Sequence, residues 1–211
     1  VGDIDAENVT ASNNGSNGAD LSSSAGAVFL SGTNVFNDNN RSGLVVDSFG
    51  DIDVSNVTAS GNGAGSGAEL DSSTGNVSLT GTNVFEDNND NGLSVDAGGD
   101  IDAENITAGG NGAIFGTGAE FNSSGSVSLT GVNTFTGNKD AGLFIDAVGD
   151  VDVENVTAVD NSIGAELNLS GTLSIVGDNV FNNNDGVGLY VDAVGDINAE
   201  NLTVNDNGVD N

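Results

Sequence analysis

The sequence contains no proline, cysteine, methionine, tryptophan or histidine, and only two of its 211 residues, Arg41 and Lys139, are basic. Without histidine and cysteine, a zinc or haem site built on those ligands is excluded, as are cysteine and Ser–His–Asp nucleophilic catalysis. Against two basic residues stand 32 acidic ones, so the net charge is −30 and binding to nucleic-acid phosphates is excluded. No apolar run reaches the ~18–20 residues of a membrane helix, so we expect no membrane insertion. The lack of cysteine is compatible with an extracellular location.

A long repeat organises the chain. The segment GDIDAENVTA at 2–11 returns at 50–59, 99–108, 149–158 and 195–204. Between these copies lies a second segment, VFLSGTNVFNDN at 28–39, with copies at 77–88, 127–138 and 173–184. The period therefore holds two related units of about 24 residues, which we call A rungs and B rungs. The A rungs start near residues 2, 50, 99, 149 and 195 and the B rungs near 26, 75, 125 and 171, which predicts one domain over 1–211.

Each unit contains three short runs of alternating apolar and polar residues, the pattern of β-strands. In the first A rung these are 4–6, 9–11 and 19–21, and in the first B rung 28–30, 34–36 and 44–46. Three strands per unit predict an all-β fold without helices, a single parallel β-helix of about nine rungs stacked ~4.8 Å apart. Between the first two strands we expect residues that tolerate a positive φ, namely asparagine in A rungs (Asn8, Asn56, Asn105, Asn155, Asn201) and glycine in B rungs (Gly32, Gly81, Gly131, Gly177).

Two further features predict how rungs stack. Phenylalanine in B rungs should lie between alanines of A rungs, which fills a narrow interior without voids (Phe36, Phe85, Phe135 and Phe181 with Ala11, Ala59, Ala108 and Ala158). One asparagine also recurs at the same place in every unit, and stacked amides of this kind form hydrogen-bonded ladders. The predicted structural ladder is Asn14, Asn39, Asn62, Asn88, Asn111, Asn138, Asn161, Asn184 and Asn207.

Short motifs resemble a known group of surface proteins. FNDN, FEDN, FTGN and FNNN match the FxxN motif of chlamydial polymorphic outer-membrane proteins, and GAEL, GAEF and GLxV resemble that family's glycine-plus-aliphatic element. More broadly, the chain is similar to haemagglutinin-type and autotransporter-passenger β-helices. This resemblance implies a right-handed helix, secretion to the extracellular space or cell surface, and use as an adhesin or rod.

The acidic residues suggest where cations bind. Carboxylates recur at the junction from B to A rungs as the sets Asp47, Asp51 and Asp53; Asp96, Asp100 and Asp102; Asp146, Asp150 and Asp152; and Asp192 and Asp196. Because hard oxygen ligands favour Ca²⁺ over transition metals, one hypothesis is that these turns bind Ca²⁺; the alternative is a solvated turn with diffuse sodium. Since carboxylates concentrate in A rungs, we also expect like charges to lie two rungs apart. A halophilic origin is a further explanation of the net charge.

One outward face lacks charge. The middle strands predict a β-branched strip made of Thr10, Val35, Thr58, Val84, Thr107, Thr134, Thr157, Val180 and Thr203. The strip is explained either by β-propensity on a solvated sheet or by lateral contact with another copy; an ice-binding face is a third and more remote interpretation. The insertion at 113–117 presents Ile114 and Phe115, which form either a contact knob or a loop packed on its own rung.

These observations favour a structural role over catalysis. No cap is evident at either end, so the chain is either part of a longer repeat protein or a subunit that stacks end to end, with 209–211 meeting Val1 of the next copy. We therefore predict an extracellular rod or filament subunit that is not an enzyme. The alternatives are an adhesin stalk or Ca²⁺-dependent polysaccharide-binding module and, more remotely, a polysaccharide-degrading enzyme.

Overall fold

The computed structural model describes residues 2–208, in which the chain forms 25 β-strands and no helix. Nothing in that part of the chain is therefore a helix able to cross a membrane. The strands form three parallel sheets in which consecutive members come from consecutive rungs. Seven rungs with three strands each lie between a first rung with two strands (Ile4–Glu7 and Ala19–Ser23) and a ninth rung with two strands (Ile197–Ala199 and Leu202–Thr203), which confirms the predicted parallel β-helix.

The first strand of each rung lies in sheet 1: β1 (Ile4–Glu7), β3 (Val28–Ser31), β6 (Ile52–Ser55), β9 (Val77–Thr80), β12 (Ile101–Glu104), β15 (Val127–Thr130), β18 (Val151–Glu154), β21 (Leu173–Val176) and β24 (Ile197–Ala199). The middle strands form sheet 2: β4 (Asn34–Val35), β7 (Val57–Thr58), β10 (Asn83–Glu86), β13 (Ile106–Gly109), β16 (Asn133–Thr136), β19 (Val156–Val159), β22 (Asn179–Asn182) and β25 (Leu202–Thr203). The third strands form sheet 3: β2 (Ala19–Ser23), β5 (Leu44–Ser48), β8 (Ala68–Ser72), β11 (Leu93–Ala97), β14 (Ala119–Ser123), β17 (Ala141–Ala147), β20 (Ile163–Leu169) and β23 (Leu189–Ala193).

The predicted strand at 9–11 is reduced to an isolated bridge between Thr10 and Val35. It belongs to the first rung, whose middle segment has a neighbour on one side only. The proposed junction between 209–211 and Val1 lies outside the described residues.

Corners between sheets 1 and 2 have the backbone that the repeat predicts. Asn8, Asn56, Asn105, Asn155 and Asn201 have φ between 48° and 54°, and Gly32, Gly81, Gly131 and Gly177 have φ between 77° and 80°. The two types interlock: Asn56 accepts a hydrogen bond from the N–H of Thr82 on one side (3.2 Å) and donates to the carbonyl of Gly32 on the other (3.1 Å). Asparagine therefore supplies the left-handed conformation and also links neighbouring rungs.

The interior is filled by alternating large and small residues. In sheet 2, Phe85 pairs with Ala108, Ala108 with Phe135, and Phe135 with Ala158. The three phenylalanines of β10, β16 and β22 are 0–1% exposed, so the predicted interleaving holds. One large side chain departs from the predicted columns, because Phe121 on an A rung is also fully buried, between Val95 and Ile145.

Candidate functional site

The asparagines at the corner between sheets 2 and 3 form a continuous ladder. Each amide donates from Nδ2 to Oδ1 of the next, over 2.8–3.3 Å, from Asn14 through Asn39, Asn62, Asn88, Asn111, Asn138, Asn161 and Asn184 to Asn207. The same Oδ1 atoms accept backbone N–H groups, such as that of Asn88 on Asn111 at 3.1 Å. Among residues 2–208, no buried side-chain nitrogen or oxygen lacks a hydrogen-bond partner. Each rung is thus tied to the next by side chains as well as by sheet hydrogen bonds.

A second set of buried amides also links neighbouring rungs. The sequence pattern assigns these asparagines to strands but does not predict this linking role. Asn34, Asn83, Asn133 and Asn179 open the middle strands of the B rungs and are 0–1% exposed. The Oδ1 of Asn83 accepts the N–H of Val57 at 3.1 Å, and its Nδ2 donates to the carbonyl of Glu104 at 3.2 Å. Their occurrence at one position in all four B rungs is the signal that identifies them.

The predicted calcium triplets are not brought together as chelating sets. Asp47 lies on the outer face of sheet 3, Asp51 in the corner, and Asp53 on sheet 1. The corner carboxylate is already engaged, since Asp51 accepts the N–H of Asn76 at 2.8 Å. Asp100 and Asp150 do the same with Ser126 (2.8 Å) and Thr172 (2.7 Å). Within residues 2–208, no three carboxylates are grouped closely enough to hold a metal ion.

A different acidic constellation appears on sheet 3. The strand register stacks Asp47 on Asp71 and Asp71 on Asp96, in three successive rungs ~4.8 Å apart. Before Asp47 the column contains Ser22, and beyond Asp96 it alternates asparagine with aspartate, in the order Asn122, Asp146, Asn168 and Asp192. Asp71 is therefore the exception, an aspartate where the other A rungs have serine or asparagine.

This column corrects the expectation that like charges lie two rungs apart. The expectation holds elsewhere on sheet 3, where Val45, Glu69, Ser94 and Glu120 alternate, and it holds on sheet 1. It fails at Asp71 because both neighbouring B rungs carry their own aspartate at the same register position. Aligning LDSS at 70–73 with LSSS at 21–24 and FNSS at 121–124 would have revealed the substitution.

The electrostatics of the column follow from this stacking. Partial burial raises the pKa of Asp71 above its usual value, and the charges of Asp96 and then Asp47 raise it further. Burial also raises the pKa of Asp53, with a contribution from Asp51. Both carboxylates are thus less stable in their charged form within the fold than in the unfolded chain.

An open groove accompanies the acidic column. It has a volume of about 470 Å³, and its carboxylates are Asp47, Glu69, Asp71, Asp90 and Asp96. No basic side chain lines it. Such a groove attracts cations and repels anionic ligands unless a cation intervenes.

The remaining predicted contact residues lie on other faces. Register places Thr10, Val35, Thr58, Val84, Thr107, Thr134, Thr157, Val180 and Thr203 in one outward column of sheet 2. Ile114 and Phe115 are 75% and 74% exposed, so the insertion projects instead of packing on its own rung.

Comparison with known protein families shows which family this chain belongs to. The family described as "Right handed beta helix region" matches residues 42–209, which are 168 of the 211 residues. The chain belongs to the right-handed β-helix family. Comparison with curated proteins found no match, and comparison with solved structures found none either. Because the family is right-handed, this β-helix is right-handed, as the sequence resemblance implied.

Proposed function

We propose that this β-helix is a structural rod of the cell surface or extracellular space and not an enzyme. The observation that carries the proposal is the asparagine ladder, which continues from Asn14 to Asn207 and couples every rung to its neighbour. A ladder of buried amides resists bending and local opening, because separating two rungs leaves polar groups unpaired. The faces also repeat from rung to rung, as expected of a scaffold.

We further propose that copies of the rod assemble end to end. Within residues 2–208, β23, β24 and β25 each pair with a strand on one side only, and the last described rung exposes Ile197 and Leu202 by 53% and 40%. A parallel strand from another copy, added in the register that all inner rungs share, would pair these edges and cover those side chains.

Electron microscopy and light scattering test the structural proposal. Purified protein at high concentration, with calcium and with chelator, is expected to form filaments of uniform width when cations are abundant. Particles that remain monomeric under both conditions would contradict axial assembly. Antibody labelling of intact cells of the source organism is expected to stain the surface, and label that appears only after permeabilisation would contradict the location.

A second function, cation-dependent binding of acidic polysaccharide, is favoured by the groove on sheet 3. Its five carboxylates are oxygen ligands of the kind that Ca²⁺ prefers, and a bridging cation would allow an anionic chain to approach. Since no three carboxylates of residues 2–208 form a chelating set, we propose that hydrated cations are held between neighbouring carboxylates of the acidic column and not in the corners.

Thermal unfolding separates specific calcium binding from diffuse neutralisation. Ca²⁺ is expected to raise the melting temperature more than Na⁺ at equal ionic strength, and the difference should shrink in Asp71→Asn. Equal melting curves in the Ca²⁺ and Na⁺ salts would show that cations only screen the charge diffusely, and would contradict specific calcium binding. Release of reducing ends from a uronic-acid polymer would instead contradict the proposal that the chain is not an enzyme.

A further inference from the structure

Negative charge is distributed very unevenly over the three sheets. Seven carboxylates lie on the strands of sheet 1 (Asp5, Glu7, Asp53, Asp102, Glu104, Asp152 and Glu154) and nine on those of sheet 3 (Asp20, Asp47, Glu69, Asp71, Asp96, Glu120, Asp146, Glu166 and Asp192). The strands of sheet 2 carry one, Glu86. Sheet 2 is thus a nearly neutral face on a molecule of net charge −30.

The neutral face is continuous along the axis. The threonine and valine column is unbroken over nine successive rungs, and its inner members are half-buried. Beside it runs a second outward column, in which Glu86 is followed by Gly109, Thr136, Val159 and Asn182. Both basic residues lie off this face, in the corners that lead to sheet 3.

Charge decides which faces two copies can bring together. Contact through sheet 1 or sheet 3 would place rows of carboxylates opposite one another, and like charges that face each other across an interface are unfavourable. Contact through sheet 2 brings together methyl and hydroxyl groups of stiff β-branched side chains, which lose little rotamer freedom on association. We propose that sheet 2 is a lateral interface through which two copies of this chain pack side by side. This interface is separate from the strand edges used for axial stacking.

The size of the face sets the expected strength. Nine rungs at ~4.8 Å and strands about 13 Å wide give roughly 550 Å² per copy, or about 1,100 Å² in total, near the lower limit for a specific interface. Two copies of this chain should therefore form a weak dimer that depends on concentration. Salt should strengthen the dimer, because it screens the repulsion between the remaining carboxylates.

Because the chain lacks cysteine, single-cysteine variants test the interface directly. Thr107→Cys places a thiol at the middle of the sheet 2 column, and Ser128→Cys places one at an outward, equally half-buried position of sheet 1. With a short bismaleimide crosslinker in high salt, Thr107→Cys is expected to give dimers at high yield and Ser128→Cys only the background of random collisions. Equal yields from the two variants would overturn the proposal.

A charge variant gives an independent readout in solution. Thr107→Glu should abolish the dimer in analytical ultracentrifugation, whereas Ser128→Glu should leave the association constant unchanged; melting curves identify any variant that fails to fold. Wild-type protein that stays monomeric at every concentration in high salt overturns the proposal. A monomer that binds a neutral glucan through sheet 2, with binding lost in Thr107→Glu, overturns it in favour of a polysaccharide occupant.

Discussion

Removing one amide from the ladder should cost this β-helix a large part of its stability. Asn111 is fully buried and makes four side-chain hydrogen bonds. Its Oδ1 accepts the N–H and the Nδ2 of Asn88, both at 3.1 Å. Its Nδ2 donates to the carbonyl of Phe85 at 3.0 Å and to Oδ1 of Asn138 at 2.9 Å.

The expected magnitude follows from the groups left without partners. In Asn111→Ala the buried N–H of Asn88 loses its acceptor, which costs about 1–3 kcal/mol, so the free energy of unfolding should fall by about that amount. For a chain of this length, that loss corresponds to a melting temperature lower by about 2–12 °C. Urea unfolding followed by far-UV circular dichroism, together with calorimetry, measures both quantities.

A matched pair of variants makes the reasoning falsifiable. Asn89→Ala removes an exposed amide that is the chain neighbour of Asn88 but lies outside the ladder, and it should change stability by less than about 0.5 kcal/mol. Asn111→Asp keeps the acceptor for Asn88 but loses donors, so its deficit relative to wild type should shrink as falling pH protonates the new carboxyl. If Asn111→Ala unfolds within about 0.5 kcal/mol of wild type, the ladder does not stabilise the rod as argued.

Three other substitutions test the column, the corner and the insertion. Asp71→Asn should raise the free energy of unfolding at neutral pH and low salt by about 0.5–1.5 kcal/mol, as judged by urea titration, because it removes two stacked repulsions. The pKa of Asp71 is raised, so as pH falls through that pKa the wild-type carboxyl is protonated and the repulsion disappears; the stability gain of Asp71→Asn should therefore vanish in acid. The control is Asp146→Asn, since the neighbours of Asp146 in the column are asparagines. An equal gain in stability from Asp146→Asn would refute repulsion within the column as the cause. Gly92→Ala should cost about 1–3 kcal/mol, because its Cβ would lie 2.5 Å from the carbonyl oxygen of Gly118; Gly15→Ala, with nothing within 4 Å, is the control, and similar melting temperatures for the two would contradict the steric argument. Phe115→Ser should leave unfolding unchanged within about 0.5 kcal/mol, and unchanged assembly would dismiss a contact role for the insertion.

Much of the architecture could be predicted because it is set by short sequence patterns within each rung, and these patterns recur from rung to rung. The alternation of apolar residues identifies strands, and the residue after the first strand identifies the corner, since only asparagine and glycine enter the left-handed region readily. Phe85, Phe135 and their alanine neighbours could be paired because the steps between copies fix the register of the stack. The candidate cation site could not be predicted in the same way. Asp51 and Asp53 are only two residues apart in the sequence, which favoured a shared cation site. In the fold, however, the Asp51 carboxylate accepts a backbone N–H from the next rung and is already engaged.

What the sequence by itself determined is the period, and with it the parallel β-helix, the positive-φ corners and the interleaved core. These are consequences of local chain geometry repeated about every 24 residues. Only the tertiary structure decided which carboxylates become neighbours, which side chains share a face, and why sheet 2 is left without charge. The reason is that such contacts join residues more than 20 positions apart, as Asp47 joins Asp71, and electrostatic energy depends on that spatial proximity and not on order along the chain.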